Sequence, residues 1–164
     1  MKTVIITHPH ADHIGGMYTV FRECRVDQVY DNGQPTSTNT YRTYLKEIEK
    51  RNIPYKAVRA GDVIPFFKDV AFRVLGPAEI MKDDKGRPAL NNNSVVGRLT
   101  YGNFTMLFTG DCEKEEEMSI MKGEQTFLKS DVLKAGHHGS KTSSSAQFLK
   151  AVSPQAALIS AGAG

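Results

Sequence analysis

Apolar and polar residues alternate along this chain in two periods, and the switches between them outline its elements. Lys2–Thr7 carries the β-branched run Thr3-Val4-Ile5-Ile6 and stops at a His-Pro step, which predicts a buried strand. From Ile14 to about Cys24, the residues Met17, Val20, Phe21 and Cys24 fall at helical spacing. Val26–Tyr30 returns as a strand, and Asp31–Thr36, with its Asn, Gly and Pro, reads as a loop. Ser37 or Thr38 can cap a helix that runs to about Arg51. Its stripe of Tyr41, Tyr44, Leu45 and Ile48 marks one buried face, a plain core stripe rather than a base-stacking platform.

Past Pro54 the pattern favours strands. Tyr55–Arg59 is one, closed by the turn Ala60-Gly61-Asp62. Asp69–Leu75 is another, with Val70, Phe72 and Val74 on one face and a stop at Gly76-Pro77. Residues 78–92 are irregular, and Lys82–Pro88 is a polar surface loop. Ser94–Tyr101 and Phe104–Thr109 form a hairpin about Gly102-Asn103. A helix follows from Glu113 to Met121; its early Glu113, Glu115 and Glu116 suit the positive end of the dipole and lack calcium-loop spacing. Asp131–Lys134 is a short strand, Ser143–Ser145 caps a helix to about Val152, and Ala156–Ser160 is the last strand. Strands alternating with helices around a central hairpin predict a single α/β layered domain with mixed sheet content over residues 1–164.

Composition adds little to this outline. A hydrophobic content of 40% and a charged content of 24% are ordinary for a globular chain of 164 residues. No apolar run reaches the roughly 20 residues of a membrane-spanning helix, and Met1-Lys2 leads straight into the first strand with no signal-peptide pattern, so localisation stays open. A net charge of +3 is compatible with an anionic substrate without requiring one. Cys24 and Cys112 have no framework spacing and are expected to be free thiols.

The histidines change the picture. The chain has five, and all lie in two patches: Thr7-His8-Pro9-His10-Ala11-Asp12-His13-Ile14-Gly15-Gly16 and Ala135-Gly136-His137-His138-Gly139-Ser140. Imidazole and carboxylate are ligands for zinc and also suit iron or manganese. In an extended segment His8 and His10 point the same way, and a turn at Ala11 would swing Asp12 and His13 to a neighbouring position, so one loop can hold parts of two ion sites. Asp111, at a strand end after Gly110, can bridge two ions through its two oxygens; Cys112 is a softer rival next door. Of the adjacent His137 and His138, one is expected to bind metal and the other to hydrogen-bond a substrate or orient a ligand, with His138 favoured as the ligand. The loop Ser140–Ser143 can hold an anionic group or simply cap a helix.

The first patch resembles the H-x-H-x-D-H signature of the metallo-β-lactamase fold superfamily. Asn91–Val96, Leu107–Asp111 and Leu133–Ser140 are similar to the metallo-β-lactamase-like domain of ComEC-type competence proteins. The resemblance implies an αββα sandwich and a hydrolase that uses one or two ions, zinc first and manganese or iron as alternatives. It also implies His8, His10, Asp12, His13, Asp111 and His137 or His138 as metal-site residues, with Asp12 and His138 in catalytic roles. It further implies a phosphodiesterase or nuclease acting on single-stranded DNA or another phosphodiester during DNA uptake. A membrane channel partner or fused region, with a membrane-associated or extracytoplasmic location, belongs to the same expectation.

Two departures qualify it. The superfamily's further histidine before the Gly-Asp is missing, and Asn93 is expected in its place, which would weaken the site of His8 and His10. Family domains also have strands before and after this span, so a fragment or shortened product with unpaired sheet edges is expected. The alternative is a degenerate, non-catalytic metal-binding domain of a larger membrane assembly.

Overall fold

A computed structural model describes residues 3–66 and 69–162. Lys2, the predicted start of the first strand, lies outside the described residues. The first half of the chain is a βαβαβ unit. Strand β1 (Thr3–Ile5) is followed by a one-turn helix α1 (Ala11–Ile14) and helix α2 (Met17–Glu23), then by β2 (Gln28–Asp31), α3 (Asn39–Lys50) and β3 (Tyr55–Ala57). These three strands form a parallel sheet in the order β1-β2-β3. The second sheet has β4 (Val63–Pro65), β5 (Val70–Gly76), β6 (Val96–Tyr101) and β7 (Phe104–Phe108) as an antiparallel meander. Helix α4 (Lys114–Gly123) then crosses over to β8 (Val132–Lys134), and α5 (Ala146–Val152) to β9 (Ala156–Leu158), both strands added in parallel.

Strand alternation sorts these elements into four layers. Val4 and Val29 pack with Ile14, Met17, Phe21, Tyr41, Tyr44 and Ile48 of the helices over the first sheet. Their neighbours Ile5 and Tyr30 turn the other way, toward Phe72, Val74 and Val95 of the second sheet. The far face of that sheet, with Leu75, Val96, Leu107 and Leu133, is covered by Ile120 of α4 and by Phe148 and Val152 of α5. The result is the expected αββα sandwich, in which period-two strands each feed two layers.

Several predicted boundaries shift for local reasons. The helix expected from Ile14 is preceded by α1, inside the histidine motif, and the two helices are separated at Gly15-Gly16. A β-carbon at Gly15 would lie 2.5 Å from the Ala11 carbonyl oxygen, so only glycine fits there. Leu45, counted in the buried stripe, is 37% exposed, whereas Tyr41, Tyr44 and Ile48 are buried. Strand β4 carries only one buried residue, Ile64, and was not visible in the pattern. Cys24 and Cys112 are free.

Candidate metal centre

The two sheets meet the site with the carboxyl ends of their strands. After β1 the chain is extended through His10 (φ −74°, ψ 151°) and then turns into α1. His8 and His10 therefore point together, and the turn carries Asp12 and His13 round to the next position, as their spacing predicts. β7 ends at Phe108 and leads through Thr109 into Gly110-Asp111, and β8 runs into Gly136–Gly139. Val95, just ahead of β6, donates its N–H to the Thr7 carbonyl at 2.8 Å and so ties the second sheet to the motif.

These ends bring two groups of donors together. His8, His10 and Asp111 form one, and Asp12, His13, Asp111 and His138 form the other, with the donor atoms of each group within 4.8 Å of one another. Asp111 belongs to both. Its Oδ2 lies 3.7 Å from His8 Nε2, 3.2 Å from His13 Nε2 and 3.5 Å from His138 Nε2. His8 Nε2 and His10 Nδ1 face each other at 2.9 Å. Asp12 Oδ2 stands 3.4 Å from His13 Nε2 and 3.2 Å from His138 Nε2, at the exposed mouth of the site.

Whether these residues suit a cation can be judged from what they leave unpaired. Asp111 Oδ1 and His138 Nε2 are buried without a hydrogen-bond partner. Orphaned buried acceptors cost free energy unless something else satisfies them, and a divalent ion does so. Burial, with His13 next, holds the His8 imidazole down at a pKa of about 3, keeping it neutral with a lone pair available for coordination. For Asp111, burial alone would raise the pKa; the hydrogen bond and charge of His13, then His8 and His138, outweigh it and hold the carboxyl at about 2. The donor set, imidazole and carboxylate, fits zinc, manganese or iron.

The histidine pair at the end of β8 is resolved by its hydrogen bonds. His138 Nδ1–H donates to the Ser160 carbonyl at 2.6 Å, which turns Nε2 toward Asp12 and Asp111. His137 is not among the grouped donors; its Nε2 is 4.0 Å from Asp111 Oδ2, and its Nδ1 pairs with Glu113 Oε1 at 3.0 Å. The extended geometry expected for the pair is not what separates them. Both residues adopt left-handed backbone, with φ of 45° and 54°.

Asn93 does not stand in for a histidine. It is wholly buried, its Oδ1 accepts from Met81 N at 2.6 Å, and its Nδ2 donates to the Met81 and Ala89 carbonyls at 3.0 and 2.9 Å. The amide is spent on pinning the 81–89 loop, a demand of tertiary structure invisible in the Asn-rich run. Cys112 also drops out as a rival ligand: it is buried in the helix-covered core, and its thiol lies toward the Glu113 carbonyl at 3.6 Å.

Two residues of the site went unnoticed in the sequence. Ser94 Oγ accepts the Asp111 N–H at 3.0 Å and lies 3.4 Å from His8 Nδ1. Lys134 donates to the Gly110 carbonyl at 2.9 Å, with Nζ 4.0 Å from Asp111 Oδ1. Lys134 carries a faint signal, a lone cation in an otherwise apolar strand; Ser94 carries none.

The chain matches the family model described as the metallo-beta-lactamase superfamily over residues 1–163. It is 33% identical over 162 residues to ComE operon protein 3 of Bacillus subtilis, covering 99% of this chain and 20% of that protein. It is 42% identical over 93 residues to competence protein ComA of Neisseria gonorrhoeae, covering 57% of this chain and 13% of that protein. Among solved structures, a mutant of the β-hydroxylase CmlA matches with a TM-score of 0.61 at 14% identity, over 96% of this chain and 36% of that one. The last likeness concerns the fold alone. The chain thus spans a fifth or less of the length of these two relatives.

Proposed function

The chain belongs to the metallo-beta-lactamase superfamily, and from that premise we propose that it is a metal-dependent phosphodiesterase that cleaves single-stranded DNA. The fold is that of the superfamily's hydrolases, and its homologues include competence proteins. The observation that carries the reading is the pair of orphaned atoms, Asp111 Oδ1 and His138 Nε2, buried where two groups of donors share one carboxylate. A bound divalent ion would supply Lewis acidity and a water acidified to a pKa near 7.

The chain's own residues do the rest. His8, His10 and Asp111 would hold one ion, and Asp12, His13, Asp111 and His138 a second. Three protein donors in the first group leave room for water or substrate, the arrangement of a catalytic rather than a structural site. Asp12, with its side chain 62% exposed, reaches the mouth of the site, where the carboxylate oxygen not spent on an ion would position the attacking water. His138 is fixed by the Ser160 carbonyl and keeps Nε2 toward the reacting centre.

DNA is supported by the competence name of one relative and by the mildly basic charge of +3. No helix among the described residues is long and apolar enough to cross a membrane. A role in a membrane-associated uptake assembly would depend on further chain or a channel partner.

The test is cleavage of a fluorescent single-stranded oligonucleotide by protein loaded with zinc or manganese, with Asp111→Ala as control. Cleavage that Asp111→Ala abolishes supports the reading. Stoichiometric metal with no cleavage of DNA or of bis(p-nitrophenyl) phosphate would sink it in favour of a non-catalytic metal-binding domain.

A further inference from the structure

Thr7 immediately precedes the histidine motif, and its hydroxyl stands between two imidazoles that belong to different donor groups. Thr7 Oγ1 is 3.1 Å from His8 Nδ1 and 3.3 Å from His13 Nδ1. The opposite nitrogens, His8 Nε2 and His13 Nε2, face Asp111 Oδ2 at 3.7 and 3.2 Å. An imidazole that gives its Nε2 lone pair to a cation carries its proton on Nδ1, and that N–H needs an acceptor. A hydroxyl oxygen has two lone pairs and can accept from both rings at once.

We propose that Thr7 is the positioning residue that sets the tautomer and ring orientation of His8 and His13 together, so that one side chain prepares both donor groups for divalent ions. The proposal rests on the metal-centre reading above. His8 Nδ1 also has Ser94 Oγ at 3.4 Å, a longer contact than Thr7 Oγ1 and one that this oxygen would share with the Asp111 N–H. Among the described residues, His13 Nδ1 has no other partner.

The surroundings hold the hydroxyl in place. Thr7's carbonyl is engaged by Val95 N, and Gly110, at φ 54°, packs so closely that a β-carbon there would stand 2.8 Å from Thr7 Cβ. A side chain at position 110 would displace Thr7 or Ser94; glycine leaves both hydroxyls beneath the site.

The experiment compares wild type, Thr7→Val, Thr7→Ala and Thr7→Ser. Valine keeps the shape and loses the acceptor, alanine guards against misfolding of the valine variant, and serine keeps the acceptor. Zinc is titrated into chelator-stripped protein against a chromophoric competitor, which reads stoichiometry and affinity, and metal-free Tm is measured alongside. Thr7→Val and Thr7→Ala are expected to bind zinc about 10–100-fold more weakly, the usual effect of losing an outer-shell partner, while the metal-free proteins still unfold cooperatively at a moderately lowered Tm. Thr7→Ser should stay within a few-fold of wild type. In the zinc-loaded wild type, imidazole NMR should show two protected Nδ1–H protons that Thr7→Val exposes to exchange. Wild-type affinity in Thr7→Val and Thr7→Ala overturns the proposal, as does a loss that serine does not restore. Wild-type protein that takes up neither zinc nor manganese overturns the metal-centre reading itself, and this proposal with it.

Discussion

Replacing His138 and His137 separately by alanine asks the chemistry which of two adjacent, equally left-handed histidines holds the ion. His138 Nε2 is buried, unpartnered, and 3.2 and 3.5 Å from Asp12 and Asp111 oxygens. His137 Nε2 is 4.0 Å from Asp111, and its other nitrogen is taken by Glu113. Losing an outer-shell partner costs about 10–100-fold in metal affinity, so removing a direct ligand should cost more than about 100-fold, or roughly 2.7 kcal/mol. His137→Ala forfeits a half-exposed hydrogen bond, worth about 1 kcal/mol of stability, and should lower zinc affinity less than about tenfold. Backbone strain cancels in the comparison, because both positions have positive φ. Competition titration with zinc measures the affinities, and thermal unfolding of the metal-free proteins measures stability. Equal losses in the two variants, or wild-type affinity in His138→Ala, would refute the assignment.

Three further outcomes are expected. Ser94→Ala leaves the buried Asp111 N–H without its acceptor and should cost about 1–3 kcal/mol, read as a lower denaturation midpoint; no change would mean that the N–H finds another partner. Asn93→Ala should free the 81–89 loop, seen as faster amide exchange at Met81 and Ala89, while zinc affinity stays near wild type; a large loss of zinc binding would restore Asn93 as a ligand. Glu116 is buried with Oε1 unpartnered, and burial pushes its pKa well above 4.5 despite the Cys112 thiol and the Ser94 N–H. The native state therefore keeps a proton that the unfolded chain loses above about pH 4.5, and stability should fall as pH rises from there toward the folded pKa. Glu116→Gln should flatten that slope in denaturant titrations between about pH 5 and 8; identical slopes would show that Glu116 is not its source.

The shared use of Asp111 bears on how the site works as a unit. One carboxylate faces His8, His13 and His138, so the two donor groups cannot be tuned independently. The same coupling appears below the site, where the Thr7 and Ser94 hydroxyls reach His8, His13 and the Asp111 backbone. Substitutions among these residues are accordingly expected to be non-additive.

Local pattern determined much of the candidate metal centre, because its signal is short-range. His8, His10, Asp12 and His13 lie on one extended-then-turned segment, so their spacing alone dictates which can share an ion. The layers were less legible: Thr3–Ile6 is an unbroken β-branched run, and only the packing shows Val4 and Val29 facing one way and Ile5 and Tyr30 the other. Tertiary structure decided what depends on competition between distant groups. Asn93 reads as a ligand until the Met81 and Ala89 backbone claims its amide, and Cys112 until the core takes its side chain. Sequence only leans toward His138 over His137, and the two are separated by Glu113 on one side and Ser160 on the other. A ligand's identity follows from residue type and spacing, but its availability depends on which remote donors and acceptors the fold brings within about 3 Å of it.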